Sequence, residues 1–138
     1  VSCTRKSNNN FKGGRMTSSD LYQIEKDAFL AGLFDADGSV SIYQSLKKKS
    51  NKIYTVHACE ISMTNEEVIN WIKDTVGFGN IFYREAHEKW LGTKPQWRWK
   101  VSHKKALEFA KIILPYSIIK KDKLNKIIKH YEIKKEVA

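Results

Sequence analysis

The sequence predicts an α+β domain in the order αββαββα, with one more helix near its end. Three observations carry that reading. Apolar residues alternate at period two over stretches of 5–11 residues that come in pairs. Between the pairs lie segments whose apolar residues recur every three or four positions, the spacing of a helix with one buried face. The paired strands have short connections, which makes the sheet antiparallel and gathers the helices on one of its faces.

The elements follow in order. Residues 1–19 are polar and aperiodic and read as a flexible basic N-terminal tail; the domain is expected over 20–138. The chain opens on Val1, as a fragment or processed form would. Asp20, with Gln23 three residues on, has the spacing of a helix cap, and Leu21, Ile24, Ala28, Ala31 and Phe34 continue at helical intervals to Gly38. Residues 39–47 alternate cleanly, and after a lysine-rich turn residues 53–63 are β-branched and aromatic with a less regular alternation. A helix over 66–76, capped by Thr64 or Asn65, stops at Gly77. Strands over 80–84 and 96–102 follow; in the second, Trp97, Trp99 and Val101 alternate with Gln96, Arg98 and Lys100. Helices over 104–114 and 120–133 complete the chain, separated by Pro115.

With 138 residues the chain fits one domain with a real core. No apolar run approaches the length of a membrane span. Lys+Arg number 25 against 15 Asp+Glu, a net charge of +10, and this favours polyanionic partners such as nucleic acid. Cys3 and Cys59 have no CxxC partners, which excludes a disulfide framework and a cysteine-rich zinc site. A reducing intracellular setting is expected. The abundance of Ile, Lys and Asn, whose codons are AT-rich, points to an organelle (mitochondrion or chloroplast) or a prokaryotic cytoplasm. His57 is expected in the core or on the sheet, His87, His103 and His130 at the surface, and none has metal-ligand spacing. The four Trp are expected to pack, Trp90 lying in a loop.

The segment 30–38, LAGLFDADG, carries the chemistry. Small residues at Ala31, Gly32 and Ala36 sit among large apolar ones; a helical Gly costs about 1 kcal/mol against Ala, a cost explained if another backbone approaches closely. Asp35 and Asp37 then fall at the helix C-terminus, where the macrodipole is already negative. That placement becomes favourable if a divalent cation takes carboxylate and carbonyl oxygens there. An EF-hand is excluded, because its loop needs Gly at the sixth position and Glu at the twelfth, whereas counted from Asp35 the glycine, Gly38, is fourth and the twelfth residue is Leu46. Taken alone, the two acids and the glycine are more simply an acid-capped turn bonding nearby amides.

The nine residues together differ from LAGLIDADG only at Phe34, and the chain resembles the LAGLIDADG homing endonuclease family. The GFGN step at 77–80 and the LPYSIIKKDKL segment at 114–124 extend the resemblance over roughly residues 20–133. It implies an αββαββα fold with a saddle-shaped antiparallel sheet. It also implies an Mg²⁺-dependent endodeoxyribonuclease that makes a double-strand break in a long pseudo-palindromic site. With one motif, the chain is expected to act as a homodimer in which the motif helices meet through Phe29, Ala31, Gly32, Leu33 and Asp35. The resemblance implies that Asp37 and the Ala36 carbonyl hold metal, that Asp35 bonds backbone at the helix end, and that Lys120, or Lys121 by a one-residue slip, is the catalytic lysine. Some members place a polar residue where this chain has Met63; Thr64, Asn65 or Glu60 could stand in for it. Intron encoding and intron homing are further family expectations.

The strand alternation puts Ser41, Tyr43, Ser45, Lys47, Arg84, Arg98 and Lys100 on the face away from the helices, a basic hydrogen-bonding surface suited to duplex DNA. The lysines at 47–52 and 120–129 suit phosphates. Two other readings use the same scaffold: an RNA maturase binding intron RNA, and a DNA-binding protein without catalysis.

Overall fold

The computed structural model describes residues 16–86 and 94–137. Most of the tail, Cys3, His87 and Trp90 lie outside the described residues. The elements are α1 Ser18–Asp37, β1 Gly38–Lys47, β2 Lys52–Met63, α2 Glu66–Val76, β3 Asn80–Arg84, β4 Gln96–Ser102, α3 Lys104–Ile113 and α4 Lys121–Val137. The strands form an antiparallel sheet in the order β1-β2-β4-β3.

The first helix starts earlier than expected. Thr17 is its N-cap, and Asp20 is the reciprocal partner: the Asp20 amide donates to Thr17 Oγ1 at 3.2 Å and the Thr17 amide to Asp20 Oδ2 at 3.0 Å. Asp20 and Gln23 gave the right motif three residues out of phase. Asn65, not Thr64, caps α2 by accepting from the Val68 amide at 3.1 Å.

In an antiparallel sheet directly opposed residues share a face. Ile61 opposes Trp99, which opposes Ile81; Cys59 opposes Val40 and Val101. These six meet Leu30, Ala31 and Phe34 of α1, Ile69, Ile72 and Val76 of α2, Phe109 and Ile113 of α3, and Leu124 and Ile127 of α4 in one core. Phe109 sits edge-on to both Phe34 and Trp99, with ring centroids 5.1 and 4.8 Å apart. Cys59 is a core residue whose thiol burial pushes up to about 12, so it is inert. His57 is buried under α4, beside His130 at 4.4 Å between ring centroids. His130 is half-buried rather than exposed.

Gly79 shows how tightly the core edge is built. Its φ is +108°, and a Cβ there would lie 2.2 Å from Trp99 Nε1. Trp99 is fully buried and donates from Nε1 to the Phe78 carbonyl at 3.0 Å, so it cannot yield. Gly79→Ala is expected to cost at least about 2 kcal/mol, from strain plus overpacking. Gly77→Ala, with φ +89° but open space around it, is expected to cost only about 1 kcal/mol. Urea unfolding of the two variants checks the order.

Candidate nucleic-acid interface

The C-terminus of α1 is tied to the α3–α4 connection by one side chain. Asp35 is buried and accepts from Ser117 Oγ at 2.6 Å and from the amides of Ile118, Ile119 and Lys120 at 2.7, 3.1 and 3.2 Å. Burial pushes its carboxyl upward, but the hydrogen bonds from Ser117, Ile118, Ile119 and Lys120 together outweigh it and hold the group below the ordinary carboxylate value. Lys120 completes the tie: its Nζ donates to the Asp35 carbonyl at 2.7 Å. An ammonium at a helix C-terminus complements the macrodipole that Asp35 and Asp37 oppose. Of the two lysines left open by the sequence, Lys120 is the one fixed at the motif; Lys121 is exposed at the first position of α4.

Two residues beyond Asp35, Asp37 points outward. It is exposed, with no hydrogen-bond or ion-pair partner among the described residues, and Ala36 beside it is exposed as well. Gly38 closes the helix, its amide donating to the Phe34 carbonyl, and a Cβ there would strike the Phe34 ring at 2.2 Å. The backbone therefore turns directly from the motif helix into β1.

The rest of the motif divides between two faces. Ala31 is fully buried and Asp35 is 8% exposed, both within the chain's own core. This corrects their expected place on an outer contact surface: the i, i+4 pair faces inward, toward the sheet and the 117–120 connection. Leu33 is half-buried, and Phe29 is 60% exposed while also meeting the Trp71 ring edge-on at 5.3 Å. Gly32 is exposed, and a Cβ on it would meet nothing within 4 Å. Leu21, Ala28 and Ala36 are exposed too, so α1 presents an outer stripe of apolar and small residues.

The sheet face away from the helices is built by register. Ser41, Tyr43, Ser45 and Lys47 oppose Ala58, Val56, Tyr54 and Lys52. Arg98 opposes Ser62 and Phe82; Lys100 opposes Glu60 and Asn80; Arg84 opposes Gln96. All seven residues expected on this face from alternation therefore share it. Arg84 donates to Gln96 Oε1 at 3.1 Å. A groove of about 430 Å³ opens along its edge, lined by Asn80, Phe82, Lys100, Ser102 and Lys105 among others. Asn80 and Phe82 were missed although they share the parity of Arg84. Lys52, Tyr54, Glu60 and Ser62 follow once the tight 47–52 turn fixes the β2 register. Val56 and Ala58 lie on this face yet are buried, as short side chains on a central strand.

Met63 opposes Trp97 and packs against the core. Of the polar substitutes, Asn65 caps α2 and Glu60 pairs with Arg98, leaving Thr64 exposed.

Among the described residues no three His, Cys, Asp or Glu side chains gather to hold a metal. Asp37 and the Ala36 carbonyl nonetheless suit a hard divalent cation, which takes one or two carboxylates and fills its shell with water and substrate phosphate.

A protein-family model described as LAGLIDADG endonuclease matches residues 30–134. No curated protein matches by sequence. Among solved structures, the homing endonuclease I-CvuI in complex with its target in the presence of Ca superposes with a TM-score of 0.67 at 18% identity, over 79% of this chain and 67% of that one. The archaeal intron-encoded homing endonuclease I-Vdi141I complexed with DNA gives 0.60 at 19% identity, over 76% and 65%. The LAGLIDADG homing endonuclease I-GzeII in complex with its DNA target gives 0.60 at 19% identity, over 81% of this chain but 38% of that one. These likenesses establish a shared fold.

Proposed function

Because the chain belongs to the LAGLIDADG endonuclease family, we propose that it is a site-specific homing endonuclease that binds duplex DNA on the helix-free sheet face and cuts it, as a homodimer, with a divalent cation. The observation that carries this reading is the end of α1. There the exposed, unpartnered Asp37 lies two residues beyond Asp35, whose carbonyl anchors the Lys120 ammonium, and the chain runs straight on into the basic sheet.

Ser41, Tyr43, Ser45, Lys47, Arg84, Arg98 and Lys100 would hold the duplex, the arginines at base edges and the lysines at phosphates. Asp37 and the Ala36 carbonyl would hold the cation, Mg²⁺ being the physiological choice. When bound, such a cation supplies Lewis-acid stabilisation of the phosphate charge and of the leaving oxygen. Lys120, fixed through Asp35, contributes a preorganised positive charge beside the phosphate without having to be reordered during the reaction.

Homodimerisation accounts for what a single chain leaves unexplained. Gly32 costs helix stability, yet among the described residues nothing outside its own helix backbone would come within 4 Å of a Cβ there. A second copy of α1 packed on the Ala28–Gly32–Ala36 stripe would use that space and bring two Asp37 side chains together. Gly32→Phe is expected to leave the circular dichroism of the folded chain nearly unchanged, because the site is open within the chain, while shifting the protein to monomer in sedimentation, lowering its melting by what the dimer contributed, and removing cleavage. A Gly32→Phe protein that stays dimeric would mean that α1 is not the axis.

The direct test selects duplexes from a randomised pool on the protein in Ca²⁺, then exposes the retained sequences to Mg²⁺. Retention of a two-fold motif cut in both strands, and left intact in EDTA, is expected. Retention without any cutting would favour a silent DNA-binding protein, a reading to which the apolar Met63 lends weight. Failure to retain any motif would end the proposal.

A further inference from the structure

The DNA-facing sheet carries an acid that its function does not need. Lys47, Lys52, Arg84, Arg98 and Lys100 make the face basic, and Glu60 is the one acid among the described strand positions there. A carboxylate on such a face repels phosphate, so it should be absent unless it does something specific. Glu60 sits on the central strand β2, directly between Ser39 and Lys100. Ser39 Oγ donates to Glu60 Oε1 at 3.4 Å, and Arg98 Nη1 lies 3.8 Å from Glu60 Oε2. Both side chains remain partly open, 42% for Arg98 and 30% for Glu60. The pair is oriented by the sheet but not sealed by it.

Resting on the DNA-binding reading above, we propose that Glu60 and Arg98 act together as a reader of one G·C base pair in the major groove of each half-site. The chemistry matches that pair of bases and no other. Guanine offers two acceptors, N7 and O6, to a guanidinium, while its cytosine offers an N4 amine to a carboxylate. O6 and N4 are hydrogen-bonded to each other across the base pair, about 3 Å apart. Arg98 Nη1 and Glu60 Oε2 lie 3.8 Å apart, within about an ångström of that spacing, so one donor–acceptor couple can meet both bases at once. An A·T pair presents an amine where Arg98 requires an acceptor, or a thymine O4 where Glu60 requires a donor. Glu60 thus also rejects wrong bases, because its charge would be left facing an acceptor.

The experiment selects binding sites from a randomised duplex pool in Ca²⁺ for the wild type, Glu60→Gln and Arg98→Lys, and sequences what is retained. The wild type should require G·C at one position and its mirror, with a preference of roughly 5- to 150-fold, the range of one good bidentate contact. In Glu60→Gln that preference should fall at this position alone, while affinity for the unselected pool rises because a negative charge is gone. Arg98→Lys should relax the same position. Lys52→Ala should weaken binding to all sequences alike and leave the motif intact. A wild-type motif preserved at every position in both variants overturns the proposal but not DNA binding. A uniform loss of affinity in Glu60→Gln overturns it too, as a purely structural role would. If the wild type retains no motif, the DNA-binding reading falls and this one with it.

Discussion

Replacing Asp37 with Asn is expected to abolish strand cleavage while leaving the protein folded and able to bind its site. The carboxylate is exposed and unpartnered among the described residues, so its removal disturbs no internal bond and the melting temperature should hold within experimental error. What is lost, on the proposed reading, is a charged oxygen ligand for the cation. Asparagine keeps the shape and one neutral oxygen, but a hard cation gains most of its binding from the carboxylate charge. Cleavage should therefore fall by at least about a hundredfold, the scale seen when one preorganised electrostatic contact to a transition state is removed. Affinity in Ca²⁺ or EDTA should change little or rise slightly, since a negative charge leaves a DNA-facing surface. Single-turnover cleavage beside a gel-shift series measures both. Undiminished cleavage by Asp37→Asn would remove the motif's last acid from the chemistry, and an unfolded variant would show that the side chain does more than the structure assigns to it.

The sheet was more legible than the motif that it carries. Two strands, 80–84 and 96–102, and the helix over 66–76 came out at their observed bounds, because Trp97, Trp99 and Val101 or Val68, Ile69 and Ile72 repeat at a period that only one element permits. The helix-free face followed from the same parity, since one face of an open sheet must turn to the helices. Three things were not legible. The cap of α1 lies at Thr17, because a reciprocal Thr–Asp pair outweighs the Asp20–Gln23 spacing, and the two patterns overlap in sequence. The irregular alternation of β2 reflects its central place: Val56 and Ala58 are buried on the face opposite the core, a distinction that depends on neighbouring strands. The inward turn of Ala31 and Asp35 depends on where residues 117–120 dock, some 80 positions away, and no local spacing encodes that. Small residues in a helix suggest a close approach but do not say which of them face a partner and which the chain's own core.

Asp35→Ala is expected to be strongly destabilising, and its pH signature identifies the cause. The carboxylate receives one hydroxyl and three backbone amides from residues 117–120. Alanine leaves those donors without their acceptor and frees the connection that positions Lys120. Hydrogen bonds to a charged group are worth about 1.5–3 kcal/mol each, but Ile118 and Ile119 are exposed and water can replace part of what they lose. A net cost of about 3 kcal/mol follows, or a melting shift of roughly 10 °C for a domain of this size. Asparagine retains one acceptor oxygen and should fall between alanine and the wild type. The sign with pH is fixed by the direction of the shift. Asp35 titrates below its ordinary value of 3.8 in the folded chain, so the folded state holds fewer protons than the unfolded one. Its contribution is complete above that ordinary value and is lost as pH falls through the lower folded one. Wild-type stability should therefore drop below about pH 4, while Asp35→Asn, which cannot titrate, should lack this part of the slope. The same variants separate position from charge in catalysis: Lys120 keeps its ammonium and the residue-35 carbonyl that it bonds, but in alanine its backbone amide loses the carboxylate that fixes the 117–120 connection, so cleavage should fall more than binding. Alanine melting with the wild type, or an unchanged acid slope in the asparagine variant, would show that some other contact joins α1 to the α3–α4 connection.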